Sequence, residues 1–76
     1  ITLWFSASQS PYIKTKPLHG TQRQRFNEDG SSEVTIEVIP NFELQQVILS
    51  YGEHCRMLGP DSLKAVVRER IEKMVN

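Results

Sequence analysis

The chain has a single cysteine, Cys55. No internal disulfide can form, which excludes the small secreted scaffolds that compensate for a thin core with covalent bridges. A reducing compartment, the cytoplasm, fits that usage. With only two histidines available, a zinc site would need carboxylates to complete it. Charge of either sign is in no surplus. Nine Lys+Arg balance nine Asp+Glu, which removes the basic footprint of a protein that grips duplex DNA or RNA by itself. No apolar run approaches the roughly 18 residues of a membrane-spanning helix, and no charged-then-apolar leader opens the sequence. Its four glycines form no phosphate-cradling loop, and neither a nucleophile elbow nor an HExxH segment is present.

What remains is ordinary for a folded domain: 38% hydrophobic and 24% charged residues in a chain of 76. That length holds one domain, residues 1–76, and leaves little room for an enclosed active site. A first residue of Ile rather than Met reads as the mark of a piece excised from a longer protein.

Alternation organises the first residues. Ile1, Leu3 and Phe5 stand against Thr2, Trp4 and Ser6, so Ile1 to Ala7 reads as a strand with one buried face. Ser10-Pro11 opens a short helix to about Thr15, limited by the restriction that Pro17 places on Lys16. Thr21 to Phe26 reads as a second strand, and Asn27 to Ser32, with its Asp29-Gly30 pair, as a hairpin turn. Glu33 to Ile39 alternates β-branched residues as a third strand, which Pro40 stops. Asn41 caps a helix carrying Phe42, Leu44, Val47, Ile48 and Tyr51 at helical spacing, and Gly52 ends it. His54 to Leu58 has strand length. Pro60-Asp61 then opens a last helix whose stripe, Leu63, Val66, Val67, Ile71, Met74 and Val75, requires burial against either its own sheet and helices or a second chain. The order is βαββαβ plus a C-terminal helix. It predicts an α+β, ferredoxin-like split sandwich with helices on one face of an antiparallel sheet. Leu3, Phe5, Val34, Ile36, Val38, Leu44, Val47, Ile48, Leu63 and Val67 form the expected core.

Few residues carry chemistry. His54 and Cys55 are adjacent on a strand and point to opposite faces, so with Glu53 they chelate an ion poorly, and Cys55 and Met57 read as core. Nothing in the spacing brings Cys55 to His19 as a nucleophile and base. No catalytic residue, metal or other cofactor is expected, and the domain reads as non-enzymatic. The open sheet face says more. With Leu3 and Phe5 under the helices, Trp4 points outward beside Thr35 and Glu37 of strand three and His54 and Arg56 of strand four. Arg23 and Arg25 share one side of strand two, and two unpaired guanidinium groups belong on that open face rather than under helices. Trp4, Arg23, Arg25, Glu37 and Arg56 are therefore the candidate contact residues. One reading is a protein contact surface, with the plain alternative of a surface Trp shielded by arginine stems. Another is a site for an anionic nucleotide or short single strand held by stacking and charge-assisted hydrogen bonds. Base stacking in the usual RNA-recognition manner is disfavoured, because strand three has no aromatic residue. In the last helix, Arg68 with Glu72 and Glu69 with Lys73 are expected surface pairs.

Glu37 to Gly52, then Met57-Leu58-Gly59-Pro60 and Leu63-Lys64, resembles the C-terminal extension (WCX) domain of WYL-domain bacterial transcription regulators. Leu18 to Gln22 is similar to that family's His-x-Ser-Gln segment. The resemblance covers most of the chain and is weakest over Gln9 to Lys16. Where the family often has arginine after the leucine of the last helix, this chain has Lys64. The resemblance implies a ferredoxin-like extension following a winged helix-turn-helix and a WYL domain. It further implies a regulatory role in effector sensing and homo-oligomer contacts. The partners it implies are the WYL domain of the same or a neighbouring chain, with DNA contacted only through an upstream helix-turn-helix and no membrane.

Overall fold

A computed structural model describes residues 1–75, and in it the alternating first residues form β1 (Thr2–Phe5). The remaining elements are α1 (Ser10–Thr15), β2 (Arg23–Phe26), β3 (Ser32–Thr35), α2 (Phe42–Ser50), a 3-10 turn at Gly52–His54, β4 (Cys55–Gly59) and α3 (Asp61–Val75). All pairings are antiparallel in a four-stranded sheet of order β2-β3-β1-β4. This α+β arrangement is compatible with the ferredoxin-like expectation.

Local chemistry explains where the elements begin and end. The Ser6 carbonyl accepts from Gln9 and Ser10 N–H at 3.1 and 2.9 Å, turning the chain out of β1 two residues earlier than the alternation suggests. The β2–β3 hairpin closes through Asn27 N–H to the Ser31 carbonyl (2.8 Å), and Gly30 takes φ +88°, the left-handed region where a side chain is strained. A Cβ there would also stand 3.2 Å from that of Ala7. Asn41 Oδ1 accepts from Leu44 N–H at 2.8 Å, the N-cap read from sequence, and Gly52 at φ +57° takes the chain out of α2.

The core lies between the sheet and α1 and α2. Leu3, Phe5, Ile13, Val34 and Ile36 are fully buried, Ile48 almost so, and the Tyr51 ring meets Phe5 edge-on at 5.2 Å between centroids. The polar groups that enter this core are largely partnered, Gln24 Oε1 being the buried exception. Ser10 Oγ and Ser32 Oγ are 2.8 Å apart, and Gln24 Nε2 donates to Ser32 Oγ and to the Ser10 carbonyl.

Several boundaries and burials differ from expectation. The third strand ends at Thr35, not Ile39. The Ile1–Ile36 backbone pair closes the ladder, and Glu37 N–H donates instead to Thr21 Oγ1 at 2.9 Å. The fourth strand starts at Cys55, because His54 belongs to the 3-10 turn. Val47 is exposed, while Val38 and Leu44 are half-buried against the core rather than within it. Of the burial expected for the α3 stripe, against this chain or a second one, the single chain supplies only part. Leu63 and Val67 are buried, but Val66, Ile71, Met74 and Val75 are exposed, because the sheet and α2 offer no surface opposite them. The last expected helical residue, Asn76, lies outside the described residues.

Candidate functional site

Register places the candidate residues with respect to the open face. Arg25 pairs with Glu33 on β3, Glu33 with Trp4 on β1, and Trp4 with Arg56 on β4. Directly opposed residues share a face, so Arg25, Glu33, Trp4 and Arg56 form one row across all four strands on the side away from the core. Arg23 lies one row over, opposite Thr35. Register thus sets both Arg23 and Arg25 on the outward side. Gln24, between them, is the β2 residue that reaches the core.

The interactions along the row differ in kind. Arg25 Nη2 is ion-paired with Glu33 Oε2. Such an exposed pair contributes about 0–1 kcal/mol. The Arg56 guanidinium lies 4.6 Å from the Trp4 ring centroid and covers one indole face, leaving Trp4 half-buried. At a surface site that contact is worth about 0.5–1 kcal/mol. Among the described residues, neither Arg23 nor Arg56 has a carboxylate partner.

Glu37 does not join the row. It has the right parity, but it lies two residues past the end of β3 and is exposed near Thr21. Glu33 occupies the acidic place instead. The sequence held a signal for it: a hairpin closed at Asn27 and Ser31 sets Arg25 opposite Glu33 by counting outward from the turn. His54 also leaves the face, and its Nδ1 stands 2.9 Å from Ser6 Oγ and its Nε2 3.4 Å from Glu53 Oε1. Cys55 and His19 line different grooves, and His19 Nδ1 is engaged by Thr21 Oγ1 at 2.8 Å. Among the described residues no three His, Cys, Asp or Glu side chains are grouped to hold a metal ion, and no helix is long and apolar enough to cross a membrane.

On the helix side a groove of about 580 Å³ opens between α2, α3 and the inward face of β4. Ile48, Cys55, Met57 and Val67 line it, with Ile71, Met74 and Val75 towards the end of α3. Burial pushes the Cys55 thiol up to about 12, so it remains a neutral, unreactive thiol at physiological pH. Arg70 fastens the two helices to each other. Its Nη1 donates to Gln45 Oε1 at 2.9 Å, its Nη2 to Gln46 Oε1, and its guanidinium lies 4.4 Å from the Phe42 ring centroid. Helical spacing alone gave no sign of this clasp, because its partners lie about 25 residues away. Of the two expected ion pairs along α3, Glu69–Lys73 forms at 3.1 Å, and Arg68–Glu72 is not among those in the described residues.

The family model for the WCX domain matches residues 1–75. No curated protein matches the chain.

Proposed function

The chain belongs to the WCX domain family, and from that premise we propose that it is an accessory regulatory domain of a WYL-type transcriptional regulator, docking a WYL domain or a second subunit through its uncovered sheet face. One observation carries this reading. A half-buried tryptophan stands mid-row on a face that no helix covers, flanked by Arg56 and an Arg25–Glu33 pair. An aromatic centre with a charged rim is the make-up of protein interfaces, where Trp and Arg dominate the binding energy. The four-stranded antiparallel sheet suits such a role, since it presents one face uncovered while the helices pack on the other. The domain would act in the cytoplasm, with DNA reached through a separate reading domain.

Sedimentation at micromolar concentration, alone and with a purified WYL domain, tests the reading. Trp4→Ala should weaken the association about 30-fold, the effect of losing an interface anchor worth ~2 kcal/mol. Association that is unchanged by Trp4→Ala returns Trp4 to a surface residue shielded by Arg56.

A second reading, an anionic nucleotide or short single strand on the same face, draws support from Arg23 and Arg56, whose charges have no carboxylate partner among the described residues. Calorimetric titration with mononucleotides, cyclic dinucleotides and a short DNA strand separates the two. Saturable, salt-dependent binding lost in Arg56→Ala favours the nucleotide, and its absence leaves protein docking.

A further inference from the structure

We infer that the groove between α2 and α3 binds a free single-chain amphiphilic anion, a medium-chain carboxylate, with its head on Lys64 and Arg68 and its tail along Ile71 and Met74. The inference concerns the helix side of the domain and is independent of the sheet-face reading.

Three features converge on that class of ligand. At about 580 Å³ the groove has the volume of a small-molecule site, which commonly spans about 300–1,000 Å³. Its floor of Ile48, Met57 and Val67 is apolar and matches an alkyl chain rather than a sugar or a base. The charge that α3 contributes stands at one end. Lys64 and Arg68 stand one helical turn apart on α3, and the lining continues through Ile71, Met74 and Val75 with no further charge from that helix. Neither cation has an ion-pair partner among the described residues. Of the other charged lining residues, the Arg56 guanidinium is turned to Trp4 on the opposite face, and the single carboxylate of Glu53, 3.4 Å from His54 Nε2, leaves the two α3 cations in excess. A cationic end followed by an apolar trough is the complement of one head and one tail.

The alternatives match less well. A second copy docked about a two-fold axis with grooves antiparallel sets each cationic end against the other's apolar end, and a parallel arrangement brings like charges together. A tail along α3 instead covers Ile71 and Met74, which are 48% and 72% exposed.

Both methionines of the chain, Met57 and Met74, line the groove, so methyl-labelled methionine reports on it directly by NMR. Titration with decanoate should move both methyl signals saturably. Decyltrimethylammonium, with the same tail and the opposite charge, should not. Lys64→Gln with Arg68→Gln should weaken decanoate binding at least ~10-fold while the unliganded spectrum keeps its dispersion, since each cation supplies a charge-assisted hydrogen bond. Met74→Glu, which leaves both cations in place, should weaken it comparably by placing a carboxylate in the trough. Equal binding of the cationic amphiphile, or decanoate binding unaffected by loss of both cations, overturns the inference. So do methyl shifts that follow protein concentration alone, which identify a second copy, and binding to phosphatidylglycerol vesicles without binding of free decanoate, which identifies a lipid surface.

Discussion

Beneath β1 and β3, apolar side chains spaced for burial are buried, and along α3 the same kind of spacing leads to exposure. Leu3, Phe5, Val34 and Ile36 have no accessible surface, whereas Ile71, Met74 and Val75 are 48%, 72% and 80% exposed. Both segments are amphipathic by pattern. The difference lies in what faces them: α1 and α2 close over the sheet, whereas α3 packs chiefly along β4 and is tied to α2 by the Arg70 clasp. Amphipathicity states which face wants burial, and the supply of opposing surface decides whether burial occurs.

The largest test of that contrast is Phe5→Ala. It should cost about 3–5 kcal/mol by opening a cavity beside Tyr51. A domain of this length has only roughly 4–11 kcal/mol of stability to lose, so chemical denaturation should find the variant barely folded.

The boundary between the two regions can be probed through Cys55. Its folded pKa lies above the unfolded value, so its contribution to stability is complete below about pH 9 and is lost as pH rises towards the folded value of about 12. The unfolding free energy from urea titration should fall across that window by up to about 1.4 kcal/mol per pH unit in the native chain. Cys55→Ala should flatten the decline without abolishing it, because burial raises the Tyr51 phenol as well. Identical slopes would place Cys55 in water and open the groove to its floor.

Asn41→Ala removes the α2 cap and should cost about 1 kcal/mol by thermal melting. The smallest effect sharpens the contrast most. Met74→Ala should change stability by no more than about 0.5 kcal/mol in the unliganded chain. A loss as large as that of Phe5→Ala would mean that the end of α3 is buried in solution.

Much of the fold was legible because its signals are local. Alternation marked β1, the Asp29-Gly30 pair marked the hairpin, and Asn41 with Gly52 bracketed α2, since each acts within a few residues of backbone. Strand ends were less so. Glu33 to Ile39 has β-branched residues beyond Thr35, but a strand lasts only as long as its partners, and the Ile1–Ile36 pair is the last rung. The same limit removed Glu37 from the candidate face and put Glu33 in its place. The outward direction of Trp4 followed from period-2 alternation.

The sequence by itself determined the element order, the inward residues of β1 and β3, the caps of α2 and the isolation of one thiol, because backbone preference and periodicity are properties of neighbours along the chain. Tertiary structure alone decided that Arg56 stacks on Trp4, that Arg70 clasps α2, and that the stripe of α3 stops being buried after Val67. Those outcomes depend on register and on which surfaces come to face one another, quantities that involve residues far apart in sequence and are set only when the sheet and helices pack.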